Sequence, residues 1–193
     1  FFNISPYYIG LILLKYGLDK ITLQQFTMPE ANILYTPFGY LDKDILFWST
    51  VGTSKFYNIA VGCIEITASI LLFFRKTRLL GFCLALGIIL NILIINLGFD
   101  ISVKTLSSFL LLVILINLYP FVKPLYSFFI RNEVVKIHYK NDLHLPFQNL
   151  VKILGLLFIF GFVGYPYLAN AFAGNITYEP IFNKAYAVKG EHK

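Results

Sequence analysis

Charge is what this sequence has least of. Of 193 residues, 16 are Lys or Arg and 10 are Asp or Glu, 13% in all, against about 25% in soluble domains. A water-soluble fold of this size would have too little polar surface to cover its core. With 58% hydrophobic residues and a mean hydropathy of +0.71, the chain reads as an integral membrane protein. Its formal charge of +6 sits in a few loops, the pattern of membrane topology and not of nucleic-acid binding. Cysteine is scarce too: Cys63 and Cys83 both lie in apolar runs. Their depths along helices would differ by about 9 Å, more than the roughly 7 Å that a disulfide allows between Cα atoms. They read as packing residues, with no CxxC or Cys/His spacing for a metal. His138, His144 and His192 have no carboxylate at ligand spacing, and no span carries the paired histidines of a haem protein. A glycine-rich phosphate loop and a GxSxG motif are missing. The sequence thus offers no catalytic residue, no metal site and no evident cofactor site. The chain opens with Phe1, and no basic stretch followed by a small-residue cleavage site marks a signal peptide.

What is present is a series of long apolar runs. Residues 56–74 and 79–99 flank the turn Arg75-Lys76-Thr77-Arg78. A connection that short forces two spans into an antiparallel hairpin. A first span is expected over residues 1–18, with Pro6 in its first turn, and a fourth over about 104–122, ended or kinked by Pro120 and Pro124. A fifth is expected over 149–170. Residues 21–55 hold Pro29, Pro37 and many aromatics, Trp48 among them. They read as a folded extramembrane loop against the membrane surface, with a short helix over 45–51. The organisation is therefore a four-span bundle over 1–125, a basic linker over 126–148, the fifth span, and a tail over 171–193.

Cation density orients the spans. The turn at 75–78 and the segment 123–152 carry eight Lys/Arg in about 34 residues; the loop 19–55, the link 99–104 and the tail carry seven in about 66. The first set is expected in the cytoplasm, with the amino terminus. The tail and the 21–55 loop are expected outside.

Glu65 is the sharpest polar signal. It sits mid-span, about nine residues from either end of its run, where an ionised group costs several kcal/mol unless paired or neutral. Gly62 and Ser69, at i−3 and i+4, share its face, so that face is expected to meet other helices. The bland reading is a structural hydrogen bond; the functional one is a proton or ligand site. Asn91 and Asn96 read singly as interhelical glue. In the threading above, Lys20, Gln25, Asn96, Asp100 and Lys104 fall near the outer face, with Asn91 and Glu65 deeper. Together they form a candidate polar funnel open outward, floored by Glu65, with Tyr8, Tyr16 and Trp48 nearby.

Several of these stretches carry a family likeness: KYGLDKITLQQFTMP at 15–29, FWSTVGTSKFY at 47–57, the small-residue span with Glu65, RKTRLLG at 75–81 and NILIINLGFDISVKTLS at 91–107. Over about residues 5–125 the chain resembles the DoxX-like family of bacterial integral membrane proteins, in its Bacteroidetes-type branch. The fifth span and tail fall outside the likeness. The resemblance implies an all-α, four-helix transmembrane bundle, to which this chain adds a C-terminal helix, in a bacterial inner membrane. It also implies Lys20, Gln25, Glu65, Asn96, Asp100 and Lys104 as a shared polar site, and it allows a quinone.

Three functions follow as expectations. The first is an accessory or structural subunit of a larger cell-envelope complex, with lipids and other membrane subunits as partners. The second is a quinone- or small-ligand-binding, redox-associated subunit, with Glu65 relaying a proton and Lys20 or Lys104 attracting an anionic head. A small-solute transporter ranks last, because the internal repeat common in transporters is not visible.

Overall fold

The computed structural model describes residues 4–134, 161–167 and 169. Every regular element among them is helical: α1 (Ser5–Ile21), α2 (Ala31–Leu34), α3 (Lys43–Gly52), α4 (Lys55–Phe73), α5 (Arg78–Gly98), α6 (Lys104–Leu118) and α7 (Val122–Ile130), with 161–167 helical as well. Among the described residues, three helices are long and apolar enough to cross a membrane: Lys55–Phe73, Arg78–Gly98 and the continuous run Lys104–Ile130. The chain is a membrane protein on that ground.

Local chemistry sets the boundaries. Pro6 opens α1, where a missing N–H costs nothing. Leu23, at φ 58°, breaks the chain direction after α1. Ser54 caps α4, its hydroxyl accepting from the Tyr57 N–H at 3.3 Å. Phe74 turns extended and ends α4, and Thr77 ties the turn back by donating to the Leu71 carbonyl at 2.9 Å. At the far end of α5 Asp100 takes the left-handed conformation (φ 56°) and the Ile101 N–H returns to the Asn96 carbonyl at 3.0 Å, a helix stop of the Schellman type.

The fourth helical run is longer than the sequence reading has it. Pro120 imposes only a 3₁₀ turn over Tyr119–Phe121, and helix resumes as α7 through Ile130. Pro124 sits in the first turn of α7, where no intrahelical N–H is required. The linker expected from residue 126 therefore begins inside a helix. The expected first span is α1, shifted to Ser5–Ile21. Its 17 residues reach about 26 Å, and it is not among the helices long and apolar enough to cross. The short helix expected over 45–51 is α3. Of the fifth span expected at 149–170, only 161–167 and 169 are described; the rest of it, most of the 126–148 linker and the tail lie outside the described residues.

α1, α4, α5 and α6 build the bundle. α1 lies along α4, α4 pairs with α5 across the tight turn, and α5 with α6. At the turn end the interior is filled by Ile9, Leu13, Ala68, Leu72, Phe82, Ala85, Leu110 and Ile114. There α1 meets α6 through one buried hydrogen bond, Ser5 Oγ donating to Asn117 Oδ1 at 2.8 Å.

Candidate functional site

Small residues let α1 and α4 touch backbone to backbone. A Cβ at Gly62 would lie 2.7 Å from the Gly17 carbonyl oxygen, and one at Gly17 would lie 2.8 Å from that of Gly62. Two turns away, Ser69 Oγ donates to the Gly10 carbonyl at 2.6 Å. This seam sets the axis separation and so decides what the side chains between the helices can reach. Lys20 and Glu65 face each other across it.

Lys20 Nζ lies 2.9 Å from both carboxylate oxygens of Glu65. Oε2 accepts the hydrogen bond, and Oε1 completes the ion pair. Both residues are almost fully buried, at 5% and 1% exposure. The ammonium also sits 5.5 Å from the Tyr16 ring centroid and 5.7 Å from that of Phe26, within cation–π range. Removing two charges from water costs several kcal/mol per ion, and only a close, well-directed pair offsets it. Glu65, a solitary carboxylate in its own span, is thus half of an ion pair.

Above this pair the bundle is hollow. A cavity of about 290 Å³ is lined by Lys20, Gln25, Glu65, Asn91 and Asn96. Five of the seven residues expected in the polar funnel therefore converge. Asp100 and Lys104 do not line it. They pair with each other across one helical turn, with side chains 79% and 37% exposed, and Lys104's donation holds the Asp100 carboxyl below the ordinary aspartate range. Tyr16 and Trp48 line the cavity; Tyr8 does not and lies exposed. Lys20 cannot serve as a free anion attractor, because Glu65 already neutralises it.

Asn96 reaches across to α6, Nδ2 donating to Ser107 Oγ at 3.0 Å, both residues buried. Gln25 Oε1 is buried with no hydrogen-bond partner. At the end away from the turn, α3 and the segment after α1 close over the cavity with rings: Phe26 on Trp48 at 4.9 Å and Phe47 on Phe99 at 4.9 Å. Asn58 anchors α3 to α4 by donating to the Val51 carbonyl at 3.1 Å. The helical residues 161–167 meet α1, where the Tyr167 hydroxyl donates to Asp19.

Sequence reasoning missed Phe26, Phe47, Tyr57 and Ser107 as lining residues, and missed the Lys20–Glu65 pair. One signal was available for the pair. Gly10, Gly17 and Lys20 fall on one face of α1, as Gly62, Glu65 and Ser69 do on α4, so two small-residue stripes each carry one charge of opposite sign.

The two charges that line the cavity pair with each other, and its walls are mostly aliphatic and aromatic. Among the described residues no three His, Cys, Asp or Glu side chains come together to hold a metal.

No family model matches the chain, and no solved structure matches it. Over 106 residues the chain is 36% identical to the uncharacterized protein YwoB of Bacillus subtilis (strain 168), an alignment that takes in 54% of this chain and 66%, just under two thirds, of that protein.

Proposed function

We propose that this protein binds a small ligand within the membrane, in the cavity floored by the Lys20–Glu65 pair. The observation that carries the reading is the cavity itself: about 290 Å³, near the lower end of ligand pockets at roughly 300 Å³, with buried Lys20, Glu65, Asn96 and Ser107 converging on it. The other end of the bundle, by contrast, is filled with packed side chains. A DoxX-like identity, the bacterial inner membrane and a cytoplasmic amino terminus belong to the same proposal. They are supported by the motifs at 15–29, 47–57 and 91–107 and by the cations at 75–78. A quinone is one ligand of suitable size for its head. The test is purification in native lipid discs followed by mass spectrometry of bound small molecules. The wild type should retain a molecule that Leu106→Trp, which fills the cavity, loses; the same extract from both proteins would sink the reading.

A second reading, an accessory subunit of an envelope complex, is favoured by a separate observation. Tyr35, Phe38 and Tyr40, in the segment between α1 and α3, are 69%, 72% and 84% exposed, an apolar patch outside the spans suited to another protein. Stoichiometric partner chains should accompany the wild type in mild detergent and be lost when all three are changed to Ser.

A further inference from the structure

We infer that the ligand enters and leaves through the bilayer, between α4 and α5, and that it is a lipid-dissolved amphiphile whose head donates a hydrogen bond. The inference rests on the cavity-binding reading above.

The entry route follows from how the α4–α5 seam changes along its length. Near the turn the two helices are in contact: a Cβ at Gly81 would lie 2.8 Å from the Leu72 backbone nitrogen. Farther along, side chains of both helices line the same cavity, Tyr57 and Ile64 from α4, Gly87 and Asn91 from α5, so the cavity lies between them. These four residues are also exposed, Tyr57 at 46% and Ile64 at 52%, and a Cβ at Gly87 would meet nothing within 4 Å. Residues that line a cavity and face outward at once mark its mouth. This mouth lies within the length of two membrane-crossing helices, so it faces hydrocarbon.

The size and the acceptor define the ligand. A volume of about 290 Å³ holds a ring-sized head and not a whole lipid, so an attached chain trails out through the mouth, over Ile64 and Gly87. Inside, Gln25 Oε1, on a residue that lines the cavity, is buried with no hydrogen-bond partner, and a buried acceptor is costly to leave unpaired. A hydroxyl head satisfies it; an ether or ketone alone does not. The rings of Tyr16, Phe26 and Trp48 suit a flat head.

Trp48 is the chain's single tryptophan and lines the cavity, so it reports occupancy. The full chain in lipid nanodiscs is titrated with 2-bromo-4-octylphenol, whose bromine quenches indole fluorescence on contact. Its methyl ether and a bilayer-insoluble bromophenol sulfonate serve as comparison probes. Quenching by the alkylphenol should saturate, and the methyl ether should bind at least ten-fold more weakly. Gly87→Phe should slow quenching at least five-fold. Gly98→Phe, on the same helix where a Cβ also meets open space and outside the cavity lining, should match the wild type. Saturable quenching with an unchanged rate in Gly87→Phe, or by the sulfonate as readily as by the alkylphenol, overturns bilayer entry while leaving cavity binding standing. Equal binding of the methyl ether overturns the donor head. Absence of saturable quenching by every probe overturns cavity binding itself.

Discussion

α4 makes two seams, and they differ in kind. Against α1 it is tight along its length: Phe73 over Gly10, Ser69 on the Gly10 carbonyl, Gly62 against Gly17, then Glu65 on Lys20. Against α5 it is tight only beside the turn and then opens into the cavity. The helix nearest in sequence is thus the looser neighbour, and the one reached across a loop of some 33 residues is the closer. In a bilayer this is not paradoxical. Apolar side chains gain little by leaving lipid for protein, so helices associate where small residues let backbones approach and where polar groups find partners. α1 supplies both to α4; over its cavity half α5 supplies neither, and its Asn96 turns instead to Ser107 on α6.

The contrast breaks most sharply at the ion pair. Glu65→Leu alone leaves the Lys20 ammonium buried without its counter-charge, expected to cost about 3–5 kcal/mol. The double variant Lys20→Met/Glu65→Leu should recover most of that loss. Thermal unfolding in detergent checks it, and a double variant no better than the single one would mean that the pair does not act as a unit. Next comes the close approach. Gly62→Val drives a side chain into the Gly17 carbonyl, expected to cost about 1–3 kcal/mol. Ile64→Ala, two residues on but facing the open seam, should unfold within about 0.5 kcal/mol of the wild type. Equal losses at the two sites would erase the difference between the seams. The smallest effect is expected at Asp100→Asn, where the Lys104 pair is solvent-exposed and such pairs contribute little. Because Lys104 lowers the Asp100 pKa in the folded protein, whatever the pair contributes is present at neutral pH and fades as pH falls through that lowered value. The unfolding midpoint of Asp100→Asn should match the wild type at pH 7, and the two should stay together at pH 3.

The membrane class and the positions of α4, α5 and the start of α6 were legible because hydropathy over about 20 residues is a local property. The termini of α1 and α7 were not, since a polar residue at a helix end and a proline in a first turn are both compatible with helix. For the site, composition brought out the polar residues within the spans, and their depths gathered five of the seven. Depth along a helix says nothing of azimuth, however. Asp100 and Lys104 have the right depth but satisfy each other on the outside, and the ring cover of Phe26, Phe47 and Trp48 depends on where a loop folds back. The pairing of Lys20 with Glu65, 45 residues away, needed the two small-residue stripes to be read as one interface.

That pairing also has a consequence for the order in which the protein is made. α1 is made before α4, is short for a span and carries Lys15, Asp19 and Lys20. The side chain that neutralises Lys20 is synthesised 45 residues later, in a helix long and apolar enough to cross a membrane. Until α4 arrives, nascent α1 lacks both its counter-ion and the small-residue stripe it lies against. The buried charge of α1 is therefore compensated only once α4 lies beside it, which ties the two helices together as one unit of assembly.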